Sequence, residues 1–239
     1  MKPTNFLMVT GLIGSLVWVG LSAAEDRKED KNMVNTMTYL VDLSTSSTSK
    51  HDPASGTFVS VDDPQAAPIA QFGSKMIEHI GYMLVTEINR TLATTEISDS
   101  IQVMHLKDLK LPKSGPGQPV VTAVKRTSSL LRDPKNAPDA ADQAALDRVY
   151  EQLANNEAPD KVIVQKIAHP DQPVEWRVYR PIATTQSCLA CHGDPANFKP
   201  GVKEVLDRLY PGDKAIDYSR QEYRGVLRVS LAMPEAAKK

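Results

Sequence analysis

Two cysteines and a histidine carry the clearest chemistry in this sequence. Cys188 and Cys191, the two cysteines of the chain, precede His192 in the pattern C-x-x-C-H, which is the attachment signature of c-type haem. Thiols three positions apart can each add to a vinyl group at one edge of the porphyrin, and the next imidazole can then bind the iron from one side. We therefore interpret Cys188 and Cys191 as covalent tethers of one haem c, and His192 as the proximal iron ligand.

Other sites also use a C-x-x-C pair. A thioredoxin-like dithiol is expected near a βαβ pattern, and the residues that follow here, Gly193-Asp194-Pro195, are poor material for the start of a helix. A structural zinc site needs four ligands, whereas this chain has no second cysteine pair. The sequence therefore favours haem attachment.

The ligand on the opposite face of the iron decides the function of such a haem. No third cysteine exists to fill that position. Met104 is the favoured candidate and His105 the alternative, because both lie on or beside the apolar face of a predicted helix; another group or a vacant position stays open. The remaining candidates are interpreted as core filler or as surface histidines: Met76, Met83, His79, His51 and His169.

The N-terminus has the pattern of an export signal. Lys2 precedes an apolar run from Phe6 to Leu21, and Ser22-Ala23-Ala24 follows it. We expect residues 1–24 to be removed; retention of residues 6–21 as a membrane anchor is the alternative, although the run is short for a spanning helix. In both cases the rest of the chain is expected in the periplasm or another extracytoplasmic space, where c-type haem is attached.

Residues 25–68 are predicted to be a flexible tether. A charged stretch from Glu25 to Lys31 and a Ser/Thr-rich segment from Ser44 to Ser60 contain few apolar residues and no sustained period. A coil of this length would span roughly 35 to 40 Å. The folded domain is therefore predicted to begin at Ile69 and to continue to residue 239.

The predicted domain begins with helices. An apolar stripe from Ile69 to Leu92 predicts a long amphipathic helix, and a second helix is predicted over Ile97–Leu109. Pro138 and Asp139 mark the start of a third helix, Ala140–Leu153. Its predicted apolar face has four members: Leu146, Val149, Tyr150 and Leu153.

Strand-like runs lie between and after these helices, at Pro119–Lys125, Val162–Ile167, Val174–Arg180 and Tyr223–Leu231. Trp176 and Val178 are two positions apart, so they are expected on one face of the sheet. Helices followed by strands that are separated by turns predict an α+β domain with an antiparallel sheet.

Composition narrows the functional class. The 239 residues include 28 Lys+Arg and 29 Asp+Glu, for a net charge of -1, so nucleic acid is not expected as a partner. Charged residues make up 24% of the chain and hydrophobic residues 41%, as in an ordinary soluble protein. Because aromatic residues are only 5%, a large flat ligand would be packed mainly by aliphatic side chains.

The sequence resembles the PAS-like c-type haem domain, long classed as a domain of unknown function and found in exported proteins and bacterial signalling receptors. The resemblance covers about residues 69 to 233. Three blocks carry it: residues 126–139, Tyr179-Arg-Pro-Ile182 leading into residues 188–193, and Tyr210-Pro-Gly-Asp213 with Arg224-Gly225.

The resemblance implies a PAS-like fold in which an antiparallel sheet and a long N-terminal helix surround one haem. It also implies that the helix before the first block supplies the distal ligand, a Cys in an Ala-Ile-x-x-Cys-like segment of well-known members. Here Ser100-Ile-Gln-Val-Met104 occupies that place, so His/Met ligation and a higher reduction potential are expected. Asp217 stands where the family commonly has Gly before Tyr218, and a different turn is expected there.

Arg126 and Arg132 flank the first block and are candidate ligands of the haem propionates, through charge-assisted hydrogen bonds. The alternative is structural. Asp133-Pro134 and Pro138-Asp139 are typical of turns and helix starts, and arginines in such places bond carbonyls or acids.

We expect an exported single-haem cytochrome that acts in electron transfer with an unidentified redox partner protein, rather than an enzyme. The alternative is a haem-based redox or gas sensor that acts through a separate partner, since the chain ends at Lys239 just after the last predicted strand. Peroxidase-like activity would need an open iron face and distal acid–base groups. His105 could serve there only if Met104 does not bind the iron.

Overall fold

The structure is a computed structural model, which describes residues 56–94, 96–103, 111–170 and 173–234. The predicted export segment, most of the predicted tether, Met104 and His105 lie outside these ranges. Within them the protein is α+β, as predicted, with helices packed on a sheet of five antiparallel strands.

The strands occur in the spatial order β1-β3-β4-β5-β2, and every neighbouring pair is antiparallel. All the predicted strands are present. β1 was not predicted, because three residues are too few for a recognisable alternation. It pairs with β3, so the prediction of a flexible tether is wrong for residues from 56 onwards. The bounds are β1 Thr57–Val59, β2 Val120–Thr127, β3 Ile163–Ile167, β4 Glu175–Ala183 and β5 Tyr223–Ala232.

The helices are α1 Ala67–Thr94, α2 Ile97–Val103, α3 Ala140–Ala154, α4 Leu189–His192 and α5 Val202–Leu209. The three predicted helices are present; for the second, residues 104–109 lie outside the described part of the chain. α5 was missed although Val202, Val205, Leu206 and Leu209 follow a helical period. No helix within the described ranges is long and apolar enough to span a membrane.

One face of the sheet is covered by α1. Ile77 and Ile80 of α1 are buried against Trp176 and Val178 of β4, which share this face as predicted. Gly73 permits the close approach, because a Cβ at this position would lie 2.5 Å from a methyl carbon of Val178. Beyond Ile80 the apolar stripe of α1 is only half-buried, so the last turns of the helix extend beyond this core.

The other face is covered by α3, whose Leu146 and Val149 pack against Tyr179 and Val226. The prediction that Tyr150 and Leu153 belong to the same buried face is wrong, since they are 39% and 40% exposed. The buried side of α3 is completed instead by small residues, which let the helix lie close to the sheet: Ala141 and Ala145.

A buried charged network lies beneath the start of α3. The carboxylate of Asp142 is fully buried and accepts hydrogen bonds from Lys125 Nζ at 2.9 Å and from Arg228 Nη1 at 2.9 Å. Arg177 Nη1 lies 3.4 Å away and also binds Asp139, the N-cap of the helix, at 2.7 Å. Burial raises the pKa of Asp142, but the opposing effect of Arg228, Lys125 and Arg177 is larger, so the net shift of the pKa is downward. We call these residues the Asp142 network: Lys125, Asp139, Asp142, Arg177 and Arg228.

Candidate functional site

The C-x-x-C-H motif lies between β4 and β5 on one short helical segment. A 3₁₀ turn, Gln186–Cys188, continues directly into α4, Leu189–His192. The two thiols are therefore three positions apart on helical backbone, a spacing that places side chains on one side of the segment. Both are free; Cys191 is 7% exposed and Cys188 is half-buried. Burial raises the pKa of the Cys191 thiol, and the positive charge of Arg132 opposes this shift.

The two nitrogens of the His192 ring have different surroundings. Nδ1 lies 2.6 Å from the carbonyl oxygen of Ala215. Because a carbonyl can only accept, Nδ1 carries the proton, and Nε2 keeps its lone pair for a metal. Burial lowers the pKa of His192 well below its usual value, and the nearby charges of Arg132 and Arg224 lower it further. The ring is therefore held in the neutral form that binds metals.

The loop that carries Ala215 is bonded to the motif at further points. Tyr218 donates its backbone N–H to the His192 carbonyl at 2.9 Å, and Asp217 donates to Gly193 at 3.0 Å. The Tyr218 ring packs edge-to-face on the His192 ring, with centroids 6.4 Å apart. Asp217 has φ 63°, the left-handed conformation that glycine adopts most readily and that Asp tolerates. Asp217 stands where the family commonly has Gly, and the backbone at this position is of the kind that suits glycine.

Arg132 connects this loop to the motif. Its Nε donates to Asp213 Oδ2 at 2.9 Å, and its Nη2 donates to the carbonyls of Cys191 and Ala215. Asp213 in turn accepts from the Ala215 backbone N–H at 2.8 Å. From the sequence, bonds to carbonyls or acids are the alternative to propionate binding, and Arg132 makes bonds of this kind. It thereby helps to position the Ala215 carbonyl, which orients His192.

Arg126 and Arg224 complete a cluster of cations around His192. Arg126 is half-buried near the end of β2, and its side chain makes no hydrogen bond or ion pair with any residue that the structure describes. Burial lowers its pKa, and the neighbouring Arg224 lowers it further. Arg224 donates to the Leu130 carbonyl at 3.1 Å and lies over the Tyr218 ring. We call Arg126, Arg132 and Arg224 the arginine cluster.

The arginine cluster has an excess of positive charge. Among the described residues its one ion pair is Arg132 with Asp213, so two guanidinium groups lack a carboxylate. Partly buried cations without partners are unfavourable unless an anion binds there. The residues present fit a haem, since two thiols and a neutral imidazole lie beside two cations that match the two propionates in charge.

Five predicted site residues are therefore brought together: Cys188, Cys191, His192, Arg126 and Arg132. Met104 and His105 lie outside the described residues, although Ile101, three positions before Met104, packs in one buried cluster with Cys191. The sequence did not single out the carbonyl of Ala215, the acid Asp213 or the roles of Tyr218 and Arg224.

A signal for these missed residues was present in the family blocks around residues 210–213 and 224–225. Gly225 has φ 134°, and a Cβ there would collide with the Thr127 carbonyl oxygen. A glycine is therefore needed where β5 begins close to the end of β2. This close approach brings Arg224 to the segment that leads to Arg132.

Comparison with known proteins assigns the family. The model of the Tll0287-like family matches residues 32–232. The chain belongs to the Tll0287-like family. The match covers nearly the whole region of the resemblance noted in the sequence, and it begins well before Ile69.

A solved structure is also similar, that of the cyanobacterial haem protein Tll0287, with 22% sequence identity and a TM-score of 0.34. The match covers 48% of this chain and 63% of that chain, so it spans less than two thirds of that protein. No curated protein matches this chain.

Proposed function

We propose that this member of the Tll0287-like family is an exported c-type cytochrome with one haem, and that it transfers electrons. The observation that carries the proposal is the state of His192. Its Nδ1 is committed to the Ala215 carbonyl, its Nε2 is available, and it shares one helical segment with two free thiols.

Each residue of the site has a distinct part in this proposal. Cys188 and Cys191 hold the haem covalently, and His192 Nε2 is the proximal ligand. The Ala215 carbonyl orients the imidazole and increases its basicity. Arg126 and Arg224 bind the propionates, whereas Arg132 holds the Ala215 loop. When bound, the haem supplies a one-electron iron couple.

Met104 is proposed as the sixth ligand, with His105 as the alternative. Ile101 is buried beside Cys191, Val202 and Leu206, so α2 leads the chain past the motif shortly before Met104. A thioether at this position favours the ferrous state and raises the reduction potential. An iron held on both sides suits electron transfer without substrate binding, in a PAS-like domain that surrounds the haem.

Covalent attachment is tested by expressing the full chain in a host that matures c-type cytochromes. The wild-type protein should keep its haem on a denaturing gel. Its measured mass should be that of the chain without the export signal plus the mass of one haem. Cys188→Ala with Cys191→Ala should abolish both the haem stain and the added haem mass. A wild-type polypeptide of unmodified mass would refute the proposal.

The sixth ligand is tested by absorption spectroscopy of the haem-loaded protein. Met104→Ala should open the sixth position, lower the reduction potential and allow carbon monoxide to bind the reduced iron, whereas His105→Ala should do none of these. A Met104→Ala spectrum identical to that of the wild type would refute Met104 as the ligand. Ready binding of carbon monoxide by the wild-type protein would favour the sensor.

A further inference from the structure

A row of aromatic rings connects the proximal histidine to the surface. The Tyr218 ring packs on His192 with 6.4 Å between centroids. Tyr223 lies near this ring: burial raises the pKa of Tyr223, and the neighbouring phenols Tyr150 and Tyr218 raise it further. Tyr223 then packs edge-to-face on Tyr150, with centroids 5.1 Å apart. Three tyrosines beyond His192 thus lead from the motif to α3.

The row runs from the interior to the solvent. Tyr218 is 5% exposed, Tyr223 is half-buried and Tyr150 is 39% exposed. The Tyr223 hydroxyl is buried and has no hydrogen-bond partner among the described residues. A phenol with no acceptor has no route for its proton on oxidation, so Tyr223 suits electron tunnelling between two centres rather than a stable tyrosyl radical.

The exposed side of α3 around Tyr150 is acidic. Asp147 and Glu151 are one helical turn apart and flank Tyr150 on the solvent side of α3. Glu222, which precedes Tyr223, is also exposed. The nearest basic residue of α3, Arg148, is paired with Asp160 at 2.8 Å. We call this the Tyr150 surface: Asp147, Tyr150, Glu151, Leu153, Glu222 and Tyr223.

We infer that the Tyr150 surface is the docking site of a one-electron carrier protein with a basic contact face, and that Tyr218, Tyr223 and Tyr150 mediate the electron between that carrier and His192. The inference rests on the proposed function. Charge complementarity commits it to a basic partner, and an exposed aromatic ring with Leu153 beside it provides an apolar centre. In the step, the haem iron loses one electron and the carrier's redox centre gains it, and no bond or proton moves.

Binding is tested by nuclear magnetic resonance on the haem-loaded full chain, with a basic mitochondrial cytochrome c as the probe. Backbone amides of α3 from Asp147 to Leu153, and of residues 219–224, should shift or broaden at low ionic strength. Shifts confined to other surfaces, for example to α5, would overturn the inference. This readout does not depend on electron transfer.

The charge requirement is tested by stopped-flow oxidation of the ferrous protein by the same ferric cytochrome c. Asp147→Asn with Glu151→Gln should lower the second-order rate constant by about tenfold at low salt and flatten its salt dependence. The matched control is Glu204→Gln with Asp207→Asn on α5, which removes the same charge from an exposed helix. An equal or larger loss in the control would overturn the inference.

The role of the rings is tested at Tyr150, whose exposure makes substitution tolerable. Tyr150→Leu should lower the electron-transfer rate at saturating probe severalfold, whereas Tyr150→Phe, which keeps the ring, should restore it. Tyr82→Leu, at a 72% exposed position of α1, should leave the rate unchanged. Equal rates for Tyr150→Leu and the wild type would place the electron's path elsewhere.

These outcomes separate the inference from the proposed function. If the wild-type protein has covalent haem and transfers electrons rapidly, and none of the Tyr150-surface variants changes that rate, the proposed function stands and the docking site is overturned. A wild-type protein without covalent haem overturns both.

Discussion

Two regions of this protein gather positive charge, and they differ in how it is neutralised. In the Asp142 network, Lys125, Arg177 and Arg228 surround a carboxylate that is fully buried, with bonds of 2.9 Å from two of them. In the arginine cluster, Asp213 pairs with Arg132 alone. The first region is complete within the chain, whereas the second has cations that no described acid meets.

A structural charge cluster and a ligand site differ in whether the chain itself supplies the neutralising charge. A buried cation is tolerated when a carboxylate accompanies it, and removing that partner is costly. In the arginine cluster the cations lie beside a histidine whose Nε2 is free, and they have no acid of their own. This indicates that the missing negative charge belongs to a ligand. Substitutions in the Asp142 network should therefore mainly change the free energy of unfolding. Substitutions in the arginine cluster should mainly change the properties of the bound haem.

The largest loss of stability is expected from Asp142→Asn. The substitution leaves Lys125 and Arg228 without their nearest carboxylate in a buried site, and should lower the free energy of unfolding by about 3–5 kcal/mol. Urea unfolding of the haem-loaded protein measures the change. Asp147→Asn, on the exposed side of the same helix, should cost less than about 0.5 kcal/mol; equal costs would contradict the comparison.

Acid should lower the stability of the protein through Glu175, which binds Arg177 of the Asp142 network. Burial raises the pKa of Glu175, but hydrogen bonds and charge from Arg177 lower it to about 2. Because this pKa is below the unfolded value, the stabilisation is present above about pH 4.5 and is lost as the pH falls toward about 2, on the order of 2–3 kcal/mol.

The measurement for Glu175 is the free energy of unfolding as a function of pH. Glu175→Gln should be less stable than the wild type at neutral pH and should have a shallower decline in acid. Parallel curves for the two proteins would show that the carboxylate does not carry the pH dependence.

A smaller loss is expected from Asp213→Asn, because Arg132 and Asp213 are 14% and 10% exposed and Arg132 keeps its carbonyl partners. We expect a cost of about 1–3 kcal/mol and an altered electron paramagnetic resonance spectrum of the oxidised haem, since the Ala215 carbonyl would be held less firmly. Asp207→Asn breaks an exposed pair with Lys203 and should change neither property.

The smallest effect on stability is expected from Arg126→Gln, which removes a cation with no described partner. The free energy of unfolding should change by less than about 1 kcal/mol, while the reduction potential of the haem-loaded protein should fall, because a lost positive charge favours the ferric state. Voltammetry measures the potential, and Arg180→Gln, at an exposed ion pair with Glu78, is the control. A potential that Asp142→Asn alters more than Arg126→Gln does would reverse the comparison.

Local patterns predicted much of the fold. Periodicity located α1, α3 and four strands, because each has enough residues to repeat its period. It failed for β1, which has three residues, and for the outward side of α3, and the period of the eight-residue α5 was overlooked. Tyr150 and Leu153 follow the helical period, but small residues on the neighbouring stripe pack closer to the sheet and turn them to solvent.

The sequence by itself determined which groups stand together for the proposed attachment, since it holds two thiols and an imidazole within five consecutive positions. Tertiary structure alone decided which nitrogen of His192 is free and which arginines lack an acid. The partners that settle these questions are far away in the chain, 23 positions for the Ala215 carbonyl and 81 for the acid on Arg132. Hydrogen bonds and ion pairs depend on distance in space, which a local pattern does not contain.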